Sequence, residues 1–267
     1  MLNNFEVRHR ERKRNLEMEI IIKRITPFIG NKNRLKILEF GSGDGYQIPH
    51  LKQLGSVIAS DIYPVRDIKD TQSKSEISNG VYKSDEINRY PDTGFVFCDI
   101  RNAPFALSSF GLVFSNHVLE HIREIKLAFA ELKRIGRSDC IYAFTVPTNI
   151  WLLLSIPAQC YNMLRRILNK EPKNKASRRQ RETDVEIRGW RRFLPVGHGW
   201  QKNFLHCFNS FRIKNWQKLF TENGFTIVER VPLLLYAPSE FPIVPTSKFL
   251  VKQGICSSVM FILKKAT

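Results

Sequence analysis

Leu38-Glu39-Phe40-Gly41-Ser42-Gly43-Asp44-Gly45 is the stretch whose reading decides the fold. The apolar run Lys36–Phe40 has strand length, and three alternating glycines follow at once. A strand that turns sharply into a helix needs glycine where φ is positive or where the backbone must approach a ligand. Tyr46–Leu54 then reads as that helix. Further on, Ser56–Ser60 is a second strand ending in Asp61, and Phe95–Cys98 a third ending in Asp99. Leu112–Phe114 is a fourth strand, residues 118–135 a helix, and Cys140–Val146 a fifth strand stopped by Pro147. Strands alternating with helices predict a Rossmann-like, doubly wound α/β fold with a mostly parallel seven-stranded sheet.

Residues 148–210 break this rhythm. Thr148–Leu164 is a run of 17 residues without a charge, and a basic run, Arg165–Arg181, follows it. The α/β pattern resumes with a helix over Trp216–Asn223, a strand over Phe225–Arg230 and a last strand over Ser258–Leu263. The expected organisation is a basic helical segment (1–34), a ligand-binding core (35–147), an inserted helical cap (148–211) and the remainder of the core (212–267). At 267 residues, 43% of them hydrophobic, the chain is long enough for such a core and an insert.

The polar ends of the strands point to the ligand. Asp61 lies 22 residues after Glu39, where doubly wound folds place an acid that accepts hydrogen bonds from ribose hydroxyls. Asp99, at the next strand end, stands where it could accept from an adenine amino group. Each also has a plainer reading as a turn residue. Glu39, Asp61 and Asp99 together form one acidic rim outside the carboxyl ends of the strands, the ligand-binding edge of such sheets. The glycine spacing is G-x-G-x-G, whereas a pyrophosphate-binding dehydrogenase favours G-x-G-x-x-G.

Three stretches resemble the class I S-adenosylmethionine-dependent methyltransferases, in the group acting on small molecules, quinones and glycans. They are Glu39–Gly45; Asp99 with Ala103-Pro104-Phe105; and Phe110-Gly111-Leu112-Val113-Phe114-Ser115-Asn116-His117-Val118-Leu119-Glu120-His121-Ile122, whose Val-Leu-Glu-His-Ile ending is the most specific. Trp216–Val228 is a weaker match. The resemblance covers about 35–146 and 212–264. It implies S-adenosylmethionine as cofactor. Glu39, Gly41, Gly43 and Gly45 would hold its methionine end, Asp61 and Ile62 the ribose and adenine, Asp99 and Ile100 the adenine, and Asn116 the floor near the sulfonium. Gly111 departs from the family, which usually opens this strand with an acid.

A hydroxyl acceptor benefits from a general base, and histidine is the usual one. His198, in the Gly-flanked Pro195–Trp200 segment, is the first candidate, and His117, next to Asn116, is the second. For either one, a structural role is the plainer reading. His121 reads as a structural residue of its signature. Glu120 and His121 alone do not make a metal ligand set, so no metal is expected.

The 42 Lys and Arg against 25 Asp and Glu leave a formal net charge of +17. Such a surplus implies an anionic partner. The acceptor is read as a small molecule or glycan, with an anionic or lipid-linked one included. Nucleic acid is disfavoured by the lack of a recognised RNA-binding motif, and RNA methylation is kept as an alternative. A catalytically silent binding module is the other alternative. The charge-free run has two readings: a buried cap, or a helix lying in a membrane interface backed by the basic run. Arg8, Arg10, Arg12, Lys13 and Arg14 start a basic helix, read first as a solvated face leading into a docking helix and second as a basic arm for an anionic surface. The five scattered cysteines, without a C-x-x-C pair, fit a reducing compartment. With no apolar leader visible, the expectation is a cytoplasmic protein, with the inner membrane face as a further option.

Overall fold

The computed structural model describes residues 4–29, 35–62, 90, 92–168, 203–236 and 248–266. Seven strands form one sheet in the order β3-β2-β1-β4-β5-β7-β6. They are β1 (Lys36–Phe40), β2 (Ser56–Asp61), β3 (Gly94–Phe97), β4 (Phe110–Asn116), β5 (Gly136–Pro147), β6 (Phe225–Pro232) and β7 (Ser258–Lys265). β3, β2, β1, β4 and β5 pair in parallel. Gly224 accepts from the amide of Ala266, and Ser258 accepts from that of Leu233. The start of β6 therefore meets the end of β7, and these two run antiparallel.

Every residue of β4 and all but the first of β1 are buried. Central parallel strands covered on both faces read as continuous apolar runs, as these do in the sequence. Gly111 has a packing reason inside β4: a Cβ there would lie 2.8 Å from Leu35 Cδ1. An aromatic cluster fills one face. The Phe144 ring lies 5.8 Å from Phe40 and stacks on Phe129 at 6.4 Å, and Phe220 and Phe225 join the same group.

The helices are α1 (Asn4–Ile25), α2 (Ile48–Leu51), α3 (Ile125–Ile135), α4 (Asn149–Leu168), α5 (Phe204–Ser210), α6 (Ile213–Glu222) and α7 (Lys248–Lys252). Two are shorter than the sequence suggests. α2 is one turn with Pro49 near its start, because the residues before it are spent on turns: Gly45 donates to Ser42 O, and Ile48 to Gly45 O. The expected helix 118–135 is split into a 3-10 turn, Leu119–His121, and α3, because Ile122 is extended.

The chain divides into two compact units. The sheet unit comprises Lys13–Val146, Gln217–Val231 and Met260–Thr267. In it the second half of α1 is a docked helix with Met18, Ile21 and Ile25 buried. The other unit comprises Met1–Arg12, Pro147–Trp216 and Pro232–Val259. Among its described elements are α4, α5 and α7. Within it the Trp216 indole donates to Pro147 O at 3.0 Å, and Thr148 Oγ1 donates to Cys256 O. α4 continues through Pro157.

Candidate active site

The glycine loop leaves β1 through Gly41 and Gly43, both in the left-handed region at φ 70° and 54°. At Gly41 a side chain is excluded twice over, because a Cβ would also lie 2.3 Å from Val118 Cγ2. Around Gly43 none of the described residues lies within 4 Å of that position. One glycine is thus required by the protein's own packing, while the other leaves the backbone open to a ligand.

Asp61, at the end of β2, fixes this loop. Its Oδ2 accepts the Gly43 amide at 2.9 Å, while Ser60 O accepts the Ser42 amide at 3.1 Å. Arg14 braces the loop from α1. Its guanidinium pairs with Asp44 at 2.8 Å and lies 4.1 Å from the Tyr46 ring centre. Tyr46, which the sequence reading passed over, then receives the Asn116 amide at its hydroxyl, 2.5 Å away. Thr145 Oγ1 donates to Asn116 Oδ1. Asn116 stands at the end of β4, with its amide engaged by protein on both ends. Tyr46 was legible as the residue next to the glycines. Arg14, 30 positions from its partner Asp44, carried no local signal.

Glu39 is buried, and among the described residues neither carboxylate oxygen has a hydrogen-bond partner. Burial, with Asp44 and Asp61 nearby, raises its carboxyl well above the ordinary range. A buried unpaired carboxylate costs stability unless a cation or donor meets it. The methionine end of S-adenosylmethionine carries an α-ammonium, which is such a partner. The residues present therefore fit this cofactor.

Beside the loop lies a cavity of about 230 Å³ lined in part by Gly41, Asp61, Ile62, Asp99, Ile100 and His121. Four of the residues assigned to ribose and adenine thus converge on one space. Asp99 has further duties. It caps the turn Ile100–Asn102 by accepting from Arg101 N at 2.9 Å, and the Arg101 side chain grips both of its oxygens, at 2.5–3.0 Å. Those bonds hold the Asp99 carboxyl below its ordinary range. The turn reading and the ligand-wall reading both apply to it.

His117 follows Asn116 in the left-handed region, φ 56°. Its Nδ1 lies 3.6 Å from Oε1 of Glu120, whose side chain is fully buried. Burial pulls the imidazole down, but Glu120, aided by Glu17 and opposed by Lys13, outweighs it, and the net shift is upward. His121 reaches the same Glu120 oxygen at 4.0 Å from the cavity side. It lines the cavity wall. His198 lies outside the described residues, as do most of the 66–93 stretch and most of the basic run.

Gly-rich loop, acidic strand ends and cavity lie together at the carboxyl ends of the strands, the ligand-binding edge of a doubly wound sheet. Residues 38–144 match the model of the methyltransferase domain family. Among proteins of curated function, none matches the chain in sequence. An S-adenosylmethionine-dependent methyltransferase from Aquifex aeolicus is 12% identical, with 100% of each chain covered and a TM-score of 0.53. One from Clostridium acetobutylicum is 11% identical, covering 95% of this chain and 92% of that one at a TM-score of 0.51. A Haloferax volcanii methyltransferase structure, solved with the Trm112 methyltransferase activator, is 12% identical over 97% of this chain and 92% of that one, TM-score 0.55. At such identities the structural likeness speaks for the fold, and the family match speaks for the domain. Residues 38–144 thus match the methyltransferase domain family, and the chain shares the fold of S-adenosylmethionine-dependent methyltransferases.

Proposed function

We propose that the protein methylates a hydroxyl of a small-molecule, glycan or lipid-linked acceptor, with His117 as the general base. The cofactor supplies a methyl already activated by a positive sulfur. The protein's part is to hold the acceptor in line and to take its proton, and alignment alone is worth on the order of 7–11 kcal/mol. The observation that carries this reading is His117 itself. It sits at the ligand-binding end of β4, beside Asn116, with Nδ1 toward the buried Glu120 carboxylate. A histidine held at Nδ1 by a carboxylate presents Nε2 as a base, in the manner of a base and its orienting group. Its left-handed backbone is uncommon for a residue other than glycine, and such conformations cluster at functional sites. His198 is the second candidate for the same role.

The test is transfer of tritiated methyl from S-adenosylmethionine to a panel of phenols, free sugars and polyprenyl-phosphate-linked glycans. Label recovered in an ether linkage supports the reading. Label recovered only in amines, carbon or RNA overturns it. With an accepted hydroxyl substrate, His117→Ala lowers turnover by about 10²–10⁴-fold, the usual worth of a general base. In the wild type, the rate rises with pH as His117 loses its proton, with the midpoint above the ordinary imidazole value because the net shift is upward. A profile unchanged in His117→Ala would assign the base elsewhere.

A further inference from the structure

α4 is apolar on two sides. Leu152, Ser155 and Ala158 are buried. Leu153, Pro157, Tyr161 and Leu164 are exposed, with Leu153 at 43% and Leu164 at 56%. Their spacing (i, i+4, i+8, i+11) places them in one stripe along the helix. Apolar residues exposed in such a contiguous stripe mark a surface with a partner.

The sequence around the stripe argues for the occupant. Thr148–Leu164 carries no charge, and then Arg165, Arg166, Lys170, Lys173, Lys175, Arg178 and Arg179 follow, with Glu171 the one acid among them. An apolar stretch followed in sequence by a run of cations is a composition that suits an anionic bilayer. A second copy of the chain would bring like charges together, against a formal net charge of +17 on each. Among the described residues, no helix is long and apolar enough to cross a membrane. The stripe is therefore suited to lying on a bilayer.

We propose that α4 docks the protein on an anionic lipid surface, in the plane of the interface. An enzyme docked in this way meets lipid-carried acceptors, and this last step alone rests on the hydroxyl-acceptor reading.

The test is co-sedimentation of the full chain with vesicles of phosphatidylcholine alone, or with one-third phosphatidylglycerol, at low and high salt. The readout needs no acceptor, so its failure is separate from failure of the methylation reading. The expected result is binding to the anionic vesicles, weakened by salt, with little binding to the neutral ones. The paired variant Leu153→Gln/Leu164→Gln loses the binding while keeping wild-type affinity for S-adenosylmethionine, which shows that it is folded. Two results would overturn the proposal: no wild-type binding to anionic vesicles, or equal binding by the paired variant. A wild-type dimer in ultracentrifugation that the paired variant abolishes would also overturn it, by assigning the stripe to a second copy.

Discussion

Replacing Glu39 with Gln weakens S-adenosylmethionine binding by about 30-fold or more and, without ligand, raises the unfolding temperature at neutral pH. The first effect follows from taking one partner out of a buried charge pair, which costs about 2–5 kcal/mol. The second follows from the isolation of this carboxylate, which has no hydrogen-bond partner among the described residues. Its carboxyl is raised in the folded chain by burial and by Asp44 and Asp61. In the unfolded chain it titrates near 4.3. Between those two values the folded chain keeps a proton that the unfolded chain has lost, so stability falls as pH rises through that window. Gln carries no such linkage. The advantage of the variant is therefore absent below the unfolded value, grows with pH through the window, and reaches about 1–2 kcal/mol, the scale of a mis-satisfied buried polar group. Thermal unfolding from pH 4 to 8, paired with calorimetric titration, checks both halves. A variant that binds as tightly as wild type removes Glu39 from the cofactor site. One that is destabilised equally at every pH removes the linkage.

The two loop glycines separate fold from function. In Gly41→Ala the new Cβ would lie 2.3 Å from Val118 Cγ2 on a backbone at φ 70°. Overpacking and left-handed strain act together, and about 2–4 kcal/mol of stability is lost along with cofactor binding. Adding Val118→Ala relieves the clash and leaves the backbone strain, so the pair of changes costs less than the sum of the two alone. Gly43→Ala meets nothing within 4 Å, so only the φ of 54° opposes it. It loses about 1–2 kcal/mol, yet its methyl occupies the open side of the loop and binding falls sharply. Denaturant unfolding and calorimetry on both variants check this. Equal stability losses would mean that the clash at Gly41 is relieved at no cost. Normal binding by Gly43→Ala would mean that the loop does not face the cofactor there.

Much of the sheet unit was legible because its signals are local. The apolar runs of β1 and β4 mark strands buried on both faces, and Gly41-Ser42-Gly43 marks the turn between them and the ligand. Asp61 was readable from its distance to Glu39, and the structure adds its bond to Gly43. Other features depended on contacts between distant segments. Arg14 on Asp44 and Tyr46, and the Thr145–Asn116–Tyr46 chain, join positions far apart in sequence, and no periodicity encodes them. The bidentate hold of Arg101 on Asp99 is local, but nothing in Asp-Ile-Arg distinguishes it from an ordinary surface turn. The helix expected over 118–135 failed at Ile122, where the apolar pattern continues while the backbone turns extended. The two faces of α4 were illegible for another reason. A run without charges has no polar side, so only burial tells Leu152 from Leu153.

The central claim is that the rim formed by Glu39, the glycine loop and Asp61 binds S-adenosylmethionine, and one titration tests it most directly. S-adenosylmethionine and its demethylated product are titrated calorimetrically into the wild-type chain and into Asp61→Ala. The predicted result is one site per wild-type chain at about micromolar to submillimolar dissociation constants, the range in which enzymes commonly hold small ligands, with both ligands lost in Asp61→Ala. Wild-type protein that binds neither ligand, or Asp61→Ala that binds them as wild type does, would contradict it.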